Sequence, residues 1–151
     1  MNSITTHITN AKEHAKKLGI NIYYDPLKPE LRGLYLPKTN SIFIQPNQHP
    51  HMENWVLWHE IGHYHSRSSH ISTKAERKHI ELCCDKYASK CSIPIESISD
   101  TRLYSDDFSQ WAYNLCIPPK VLKIRLAYLT QQEILALPTD IYNAITPKVN
   151  K

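Results

Sequence analysis

The stretch that decides the fold is His59-Glu60-Ile61-Gly62-His63, which lies within a proline-free segment over residues 52–64. Apolar residues occur on more than one side of this segment, which indicates a helix buried in a domain core. Pro50 stands at the expected first turn, where a backbone N–H is not needed. Gly62 falls in mid-helix, where glycine is unfavourable, and therefore predicts that another backbone passes close by.

The spacing of this stretch also predicts a metal site. On a helix, residues four apart lie about 40° from each other around the axis, so His59 and His63 share a face and can bind one zinc ion. Glu60 lies about 100° from His59, where its carboxylate can take a proton from water that zinc activates. Glu60 is therefore the candidate catalytic base of a metal-dependent hydrolase. The alternative is that the motif arose by chance, because the chain has nine histidines.

A third ligand decides between these two interpretations. The metzincin pattern requires glycine at position 66 and histidine at position 69, but Ser66 and Ser69 stand there. Thermolysin-like sites instead take a glutamate from a second helix. Glu81 meets this requirement, because it lies in a stretch without proline or glycine, residues 74–91, that is typical of a helix.

The neighbours of Glu81 support its selection as the third zinc ligand. Cys84, Ala88 and Cys91 share its helix face, which predicts that this face points inward, where a carboxylate is costly unless paired or bound to metal. Asp85, one turn later, can accept the second ring N–H of a ligating histidine and fix its orientation. The competing candidates are more simply solvated polar residues: His65, His70, Glu76 and His79.

The chain resembles the ImmA/IrrE-type metallopeptidases, a bacterial zincin-like family. Four segments carry the resemblance: Gly33-Leu34-Tyr35 with Ile42-Phe43-Ile44, then residues 58–63, 80–94 and 121–126. It implies one Zn²⁺ per chain and a protein substrate, a helix-turn-helix repressor of a mobile element or stress operon that is cut so that the operon is derepressed. The chain departs from the family pattern at Cys84, where alanine is usual, and at Cys91-Ser92-Ile93, where Leu-Leu-Met is usual.

The predicted fold is α+β and zincin-like, with a small three-stranded sheet packed on a two-helix metal site and further helices at each end. A first helix over residues 4–18 ends at Gly19. Strands are predicted at residues 20–24, 33–36 and 41–45, the last two as a hairpin. The resemblance implies that the strand ahead of the metal helix borders the cleft and can pair with an extended peptide. The candidate substrate-binding edge is therefore Ile42, Phe43, Ile44 and Gln45; alternatively, this strand only packs the helix.

The C-terminal third predicts a helix over residues 106–114, a second opened by Pro118-Pro119 and a short one near residues 131–137. The first two are similar to a helix-turn-helix with Lys120, Lys123 and Arg125 on its second member, so a DNA-binding regulator is one alternative. The resemblance instead implies that these helices pack against the peptidase core. A single domain over residues 1–137 and a loosely ordered tail at 138–151 are expected.

Composition restricts the remaining classes of function. A net charge of +4 is mild, so nucleic acid is not a favoured partner. The sequence has no apolar run of membrane-spanning length and no secretory signal pattern, so we expect a cytoplasmic protein with no membrane partner. Four cysteines without C-x-x-C spacing agree with reduced thiols. A non-catalytic module that binds a repressor stays open beside the peptidase.

Overall fold

The structure is a computed structural model that describes residues 10–66, 73–102, 107–115 and 117–138. The described residues form two compact units, which divide between Ser92 and Ile93. The expectation of one domain over residues 1–137 stays a prediction. The tail predicted at residues 138–151 lies outside the described residues from position 139 onward.

The first unit contains the sheet and the two longest helices. In chain order its elements are α1 (Ala11–Lys17), β1 (Asn21–Tyr24), β2 (Gly33–Leu36), β3 (Ser41–Ile44), α2 (Pro50–Ser66) and α3 (Lys74–Ser92). The second unit contains α4 (Ile95–Arg102), α5 (Phe108–Asn114), α6 (Pro119–Ala127) and α7 (Gln131–Ala136). The described residues confirm the predicted α+β fold with a three-stranded sheet. They contain seven α-helices, of which α4 was not predicted.

The ends of α1 follow from two residues. Asn10 caps its start, because the side-chain oxygen accepts a hydrogen bond from the backbone N–H of Glu13. Gly19 follows its end with φ of +74°, a left-handed conformation that only glycine adopts without strain. The predicted cap at Gly19 is confirmed, while residues 4–9 of the predicted helix lie outside the described residues.

The strand order in the sheet is β1-β3-β2. Strand β3 pairs in parallel with β1 and in antiparallel with β2. The predicted hairpin of β2 and β3 is thus confirmed, and its connection is a turn of 3-10 helix (Pro37–Thr39) followed by Asn40 at φ of 46°. Since β3 is the middle strand, β1 and β2 provide the two edges of the described sheet.

The prediction that Ile42, Phe43, Ile44 and Gln45 form an exposed, substrate-binding edge is therefore wrong. Both edges of β3 are already hydrogen-bonded, and Ile42 and Ile44 are fully buried. The Gln45 side chain is occupied as well: it accepts from the backbone N–H of Leu27 and donates to the carbonyls of Leu27 and Leu31. This strand supports the core and the loop before β2, which is the alternative considered for it.

Helix α2 is the centre of the first unit, since α1, β2, β3 and α3 all contact it. This explains why its apolar residues are not restricted to one face. The core is a cluster of small and branched residues with one tryptophan: Ala11, Ala15, Ile20, Ile42, Ile44, Val56, Leu57, Trp58, Ile61 and Ala88. Burial of such side chains contributes about 25 cal/mol per Å² of apolar surface, so α2 is held firmly.

Helices α2 and α3 pack tightly against each other at Gly62. A Cβ atom built on Gly62 would lie 3.2 Å from Cα, Cβ and Sγ of Cys84. The predicted close backbone approach is confirmed. Trp58, one turn before Gly62, packs edge-on against Tyr87, which follows Cys84, so the two helices run antiparallel.

In the second unit, α5 and α6 match the predicted helices and the Asp107 side chain caps the start of α5. The core of this unit includes Trp111, Leu122 and Leu126. Arg125 is also buried there, where it contacts Glu133 and donates to the carbonyl of Ile93. Of the cations considered for DNA contact, Arg125 is therefore enclosed, whereas Lys120 and Lys123 are exposed.

None of the helices in the described part of the chain combines the length and the hydrophobicity that a membrane span requires. None of the described cysteines, Cys83, Cys84 and Cys91, forms a disulfide, and Cys116 lies outside the described residues.

Candidate metal centre

Three side chains from α2 and α3 converge on one point of the first unit. His59 Nε2 lies 3.1 Å from Glu81 Oε2, and His63 Nε2 lies 3.0 Å from Glu81 Oε1. One ligand atom from each of these residues falls within 4.8 Å of the others. The antiparallel packing at Gly62 places Glu81 opposite both histidines, because it sets the two helices close together at this level.

Asp85 lies one turn after Glu81 on α3 and reaches the other nitrogen of His59. The distance between Asp85 Oδ1 and His59 Nδ1 is 2.9 Å. This distance is that of an ion pair, although Nδ1 does not have the alignment of a linear hydrogen bond. His59 is thus held between two carboxylates, with its Nε2 directed to the common point.

Glu81 is more exposed than its helix face predicts. Its side chain is 57% exposed, whereas Cys84 and Ala88 on the same face are buried. The inward-facing part of α3 therefore begins after Glu81. The carboxylate stands at the margin of the helix pair, where a solvent-borne ligand can reach it.

Glu60 occupies a cradle between α2 and β2 and is 7% exposed. The backbone N–H of Tyr35 donates a hydrogen bond to its carboxylate. A Cβ atom on Gly33 would lie 3.3 Å from Glu60 Oε1 and 2.6 Å from Val56 Cγ1, so only glycine fits this position without a shift. Burial raises the pKa of Glu60 above its ordinary value, although His59 and His63 nearby oppose the change.

The protonation states of the cluster are strongly coupled. Burial alone would lower the pKa of His59, but its close contacts with the carboxylates of Asp85 and Glu81 raise it to about 10. The same contacts with His59 and His63 hold the pKa of Glu81 well below its ordinary value. Without a metal, His59 therefore carries a proton at neutral pH, and a divalent cation would take the place of that proton.

The donor set fits a metal ion such as zinc. Two imidazole nitrogens and one carboxylate oxygen are the protein ligands of many catalytic zinc sites, and the remaining coordination position is left to water or substrate. The competing candidates Glu76, His65 and His79 lie outside this group, and His70 lies outside the described residues. The structure thus brings together the predicted residues His59, His63 and Glu81, with Glu60 and Asp85 beside them.

The contributions of Gly33 and of the Tyr35 backbone to the site were not predicted from the sequence. The contact of Gly33 with Val56 and Glu60 depends on the packing of β2 over α2, so no local pattern reports it. The sequence did contain one indication of this contact: Gly33 is the first residue of the short strand β2, and a glycine in a strand is typical of a close approach by another element.

Comparisons with known proteins identify the family of the chain and a similar fold. Residues 15–129 match the family described as the IrrE N-terminal-like domain of the peptidase family M78. A similar solved structure is a Mycobacterium tuberculosis transcriptional regulator, with a TM-score of 0.59 and 14% identity. The match covers 82% of this chain and 41% of the regulator, so it shows a common fold over less than half of the regulator's length. No curated protein is significantly similar to the chain.

Proposed function

Because the chain belongs to the ImmA/IrrE family of IrrE N-terminal-like domains, we propose that it is a zinc-dependent peptidase with a zincin-like fold. The observation that carries the proposal is the convergence of His59, His63 and Glu81 with Glu60 buried beside them. A structural metal site would be enclosed, whereas this cluster is open at Glu81.

In this proposal His59, His63 and Glu81 would hold one zinc ion, and Asp85 orients His59. When bound, the metal would supply Lewis acidity, which would polarise the scissile carbonyl and make water a stronger nucleophile. The pair of Asp85 and His59 keeps Nε2 of the imidazole directed at Glu81, since Nδ1 faces Asp85 on the other side.

Glu60 acts as the general base. Its carboxylate takes a proton from the attacking water and returns it to the nitrogen of the leaving amine as the peptide bond breaks. The raised pKa of Glu60 suits both steps, because a base that is too weak would not accept the proton from water. Gly33 and the N–H of Tyr35 hold the carboxylate in place for this transfer.

The substrate pairs with β2 rather than with β3. Within the described sheet β2 has only β3 as a partner, and the N–H of Tyr35 points from β2 to Glu60. An extended peptide at this edge would therefore run beside the catalytic carboxylate. This assignment replaces the edge predicted at residues 42–45.

The proposed substrate is a helix-turn-helix transcriptional repressor in the cytoplasm, whose cleavage derepresses its operon. Family membership supports this proposal. Two other functions are the alternatives: a non-catalytic module that sequesters the repressor, and a DNA-binding regulator that uses α5 and α6. The burial of Arg125 disfavours the second, since it removes one of three cations from the candidate DNA-binding helix.

The test is a survey of new protein N-termini in the native host under inducing stress, comparing the wild-type chain with Glu60→Gln. Glu13→Gln is the matched control, because Glu13 is an exposed glutamate on α1. We expect a fragment that appears with wild type and Glu13→Gln and is absent with Glu60→Gln. Equal fragment patterns in all three, with zinc and a repressor still bound, would identify the non-catalytic module instead.

A further inference from the structure

The first half of α3 carries three cations on the helix face of Glu81. Lys74, Arg77 and Lys78 precede Glu81 by seven, four and three residues, which places each within about 60° of it around the helix axis. At 1.5 Å of rise per residue, their Cα atoms lie roughly 5–10 Å from that of Glu81 along the axis. We call Lys74, Arg77 and Lys78 the basic face.

The basic face is exposed and unpaired. All three side chains are exposed, and within the described ranges none of them forms an ion pair. Two other cations are already paired: Lys12 with Glu53 at 3.2 Å, and Arg125 with Glu133. The charges of the basic face are therefore available to a bound molecule.

The sequence around the basic face contains little negative charge to neutralise it. Between Glu60 and Glu81 the chain has one carboxylate, Glu76, and four Lys or Arg residues. The connection over residues 67–72 contains no carboxylate at all. The sequence that flanks the basic face therefore offers it little opposite charge.

The same face of α3 is exposed and basic before Glu81 and buried after it. After Glu81 it carries Cys84 and Ala88, which are buried against α2. Before Glu81 it carries Lys74, Arg77 and Lys78, which are exposed. The basic face therefore lies on the exposed first half of α3 and leads directly to the candidate metal ligand.

We propose that the basic face binds acidic side chains of the substrate and so selects protein segments with Asp or Glu close to the cleaved bond. This inference rests on the proposed peptidase. Three cations can neutralise only a few phosphates, whereas tight, salt-dependent nucleic-acid binding can involve about 6–10 phosphate contacts. The three cations instead lie about as far from the metal ligand Glu81 as the side chains next to a scissile bond lie from that bond.

The first experiment measures cleavage preference. A proteome-derived peptide library is digested with the zinc-loaded full chain, and Asp and Glu are counted within four positions of each cleaved bond. The test variant is Lys74→Gln/Arg77→Gln/Lys78→Gln, and the control variant is Lys16→Gln/Lys17→Gln/Lys90→Gln, which changes three exposed cations elsewhere. Glutamine keeps the helix propensity of lysine and arginine. We expect about a threefold or greater enrichment of acidic residues for wild type and control, and none for the test variant.

The second experiment separates this inference from the proposed activity. Fluorescence anisotropy measures binding of a labelled dodecapeptide with six Asp and Glu residues to the zinc-loaded Glu60→Gln chain. We expect about tenfold tighter binding than for the Asn/Gln version of the peptide, and loss of that difference in the test variant. If the wild-type chain cleaves no peptide in the first experiment but still binds the acidic peptide more tightly than its Asn/Gln version, the peptidase proposal fails. Binding of acidic segments by the basic face is then still supported.

Two outcomes overturn the inference. One is an equal preference of the test and control variants for acidic peptides in the binding experiment. The other is tighter binding of a 20-base-pair DNA duplex than of the acidic peptide, lost in the test variant, which would make the basic face a nucleic-acid site.

Discussion

Two clusters in the molecule place a basic side chain against a carboxylate at hydrogen-bond distance. In the first unit His59 and His63 contact Glu81, and in the second unit Arg125 contacts Glu133. The first cluster is open, with Glu81 57% exposed, whereas Arg125 is 3% exposed. Both clusters contain a contact between a basic side chain and a carboxylate. They differ in whether a metal ion can replace the proton of the basic side chain.

The difference lies in the cation. An imidazole can lose its proton near neutral pH and then offer a lone pair to a metal, whereas a guanidinium stays charged and has no lone pair to offer. Arg125 also donates to the carbonyl of Ile93, so its hydrogen bonds are used within the unit. Charge and burial together thus distinguish a candidate ligand site from a structural ion pair.

The largest expected effect is on the buried pair. Glu133→Ala leaves the guanidinium of Arg125 buried without its partner, which should lower the free energy of unfolding by about 3 kcal/mol. Urea denaturation measures this change. Replacing both residues, as Arg125→Met/Glu133→Leu, should recover most of the loss, while zinc affinity stays unchanged in either variant. A loss below about 1 kcal/mol would mean that the pair behaves as a surface contact.

Substitutions in the open cluster, which includes Glu81, should lower the affinity for zinc rather than the free energy of unfolding. Glu81→Ala removes a ligand and should weaken zinc binding by more than about 100-fold, whereas Asp85→Ala should weaken it by about 10- to 100-fold. Competition with a chromogenic chelator measures both. Glu76→Ala is the control, because Glu76 is exposed on the same helix and lies outside the ligand group. Full zinc affinity in Glu81→Ala would exclude it as the third ligand.

The two clusters should respond to pH in opposite directions. The pKa of His59 is raised to about 10, so its contribution to the stability of the metal-free protein is complete below pH 6.5 and is lost as pH rises toward 10. The Arg125 contact lowers the pKa of Glu133 to about 2, so that contribution is complete above pH 4.5 and is lost as pH falls toward 2.

The affinity for zinc should depend on pH through the titration of His59. Since the ion displaces the proton of His59, zinc affinity should rise about tenfold per pH unit between pH 7 and 9. Isothermal titration calorimetry in buffers of different ionisation enthalpy counts the released protons. A pH-independent affinity over this range would show that His59 is already deprotonated in the metal-free protein.

The smallest effect concerns the glycine that brings the metal helices together. Gly62→Ala places a methyl group 3.2 Å from the backbone of Cys84, and the resulting shift should cost about 1 kcal/mol despite the better helix propensity of alanine. Zinc affinity should fall as well, because α3 carries Glu81. Gly19→Ala is the control: its φ of +74° makes it destabilising, but nothing lies within 4 Å and zinc affinity should be retained. Equal zinc affinities in the two variants would contradict a positioning role for Gly62.

The parts of the site that could be predicted are those with a local spacing. The site roles of His59, Glu60 and His63 were predicted because Glu60 is one residue and His63 four residues after His59 on one helix. The role of Asp85 was predicted because it is four residues after Glu81 in the sequence. The close approach at Gly62 was predicted for the same reason, because glycine in mid-helix is unfavourable unless its missing Cβ is needed. Each of these inferences needs only the geometry of a single helix.

The sequence by itself therefore determined the hairpin, the residues that could hold a metal and the helices other than α4, which was not predicted. Tertiary structure decided the order of the strands, which puts β3 in the middle and β2 at the edge beside Glu60. It also decided the exposure of Glu81 and the enclosure of Arg125. Helix periodicity and turns act over a few residues, whereas strand neighbours and burial depend on contacts between distant segments, which no local pattern records.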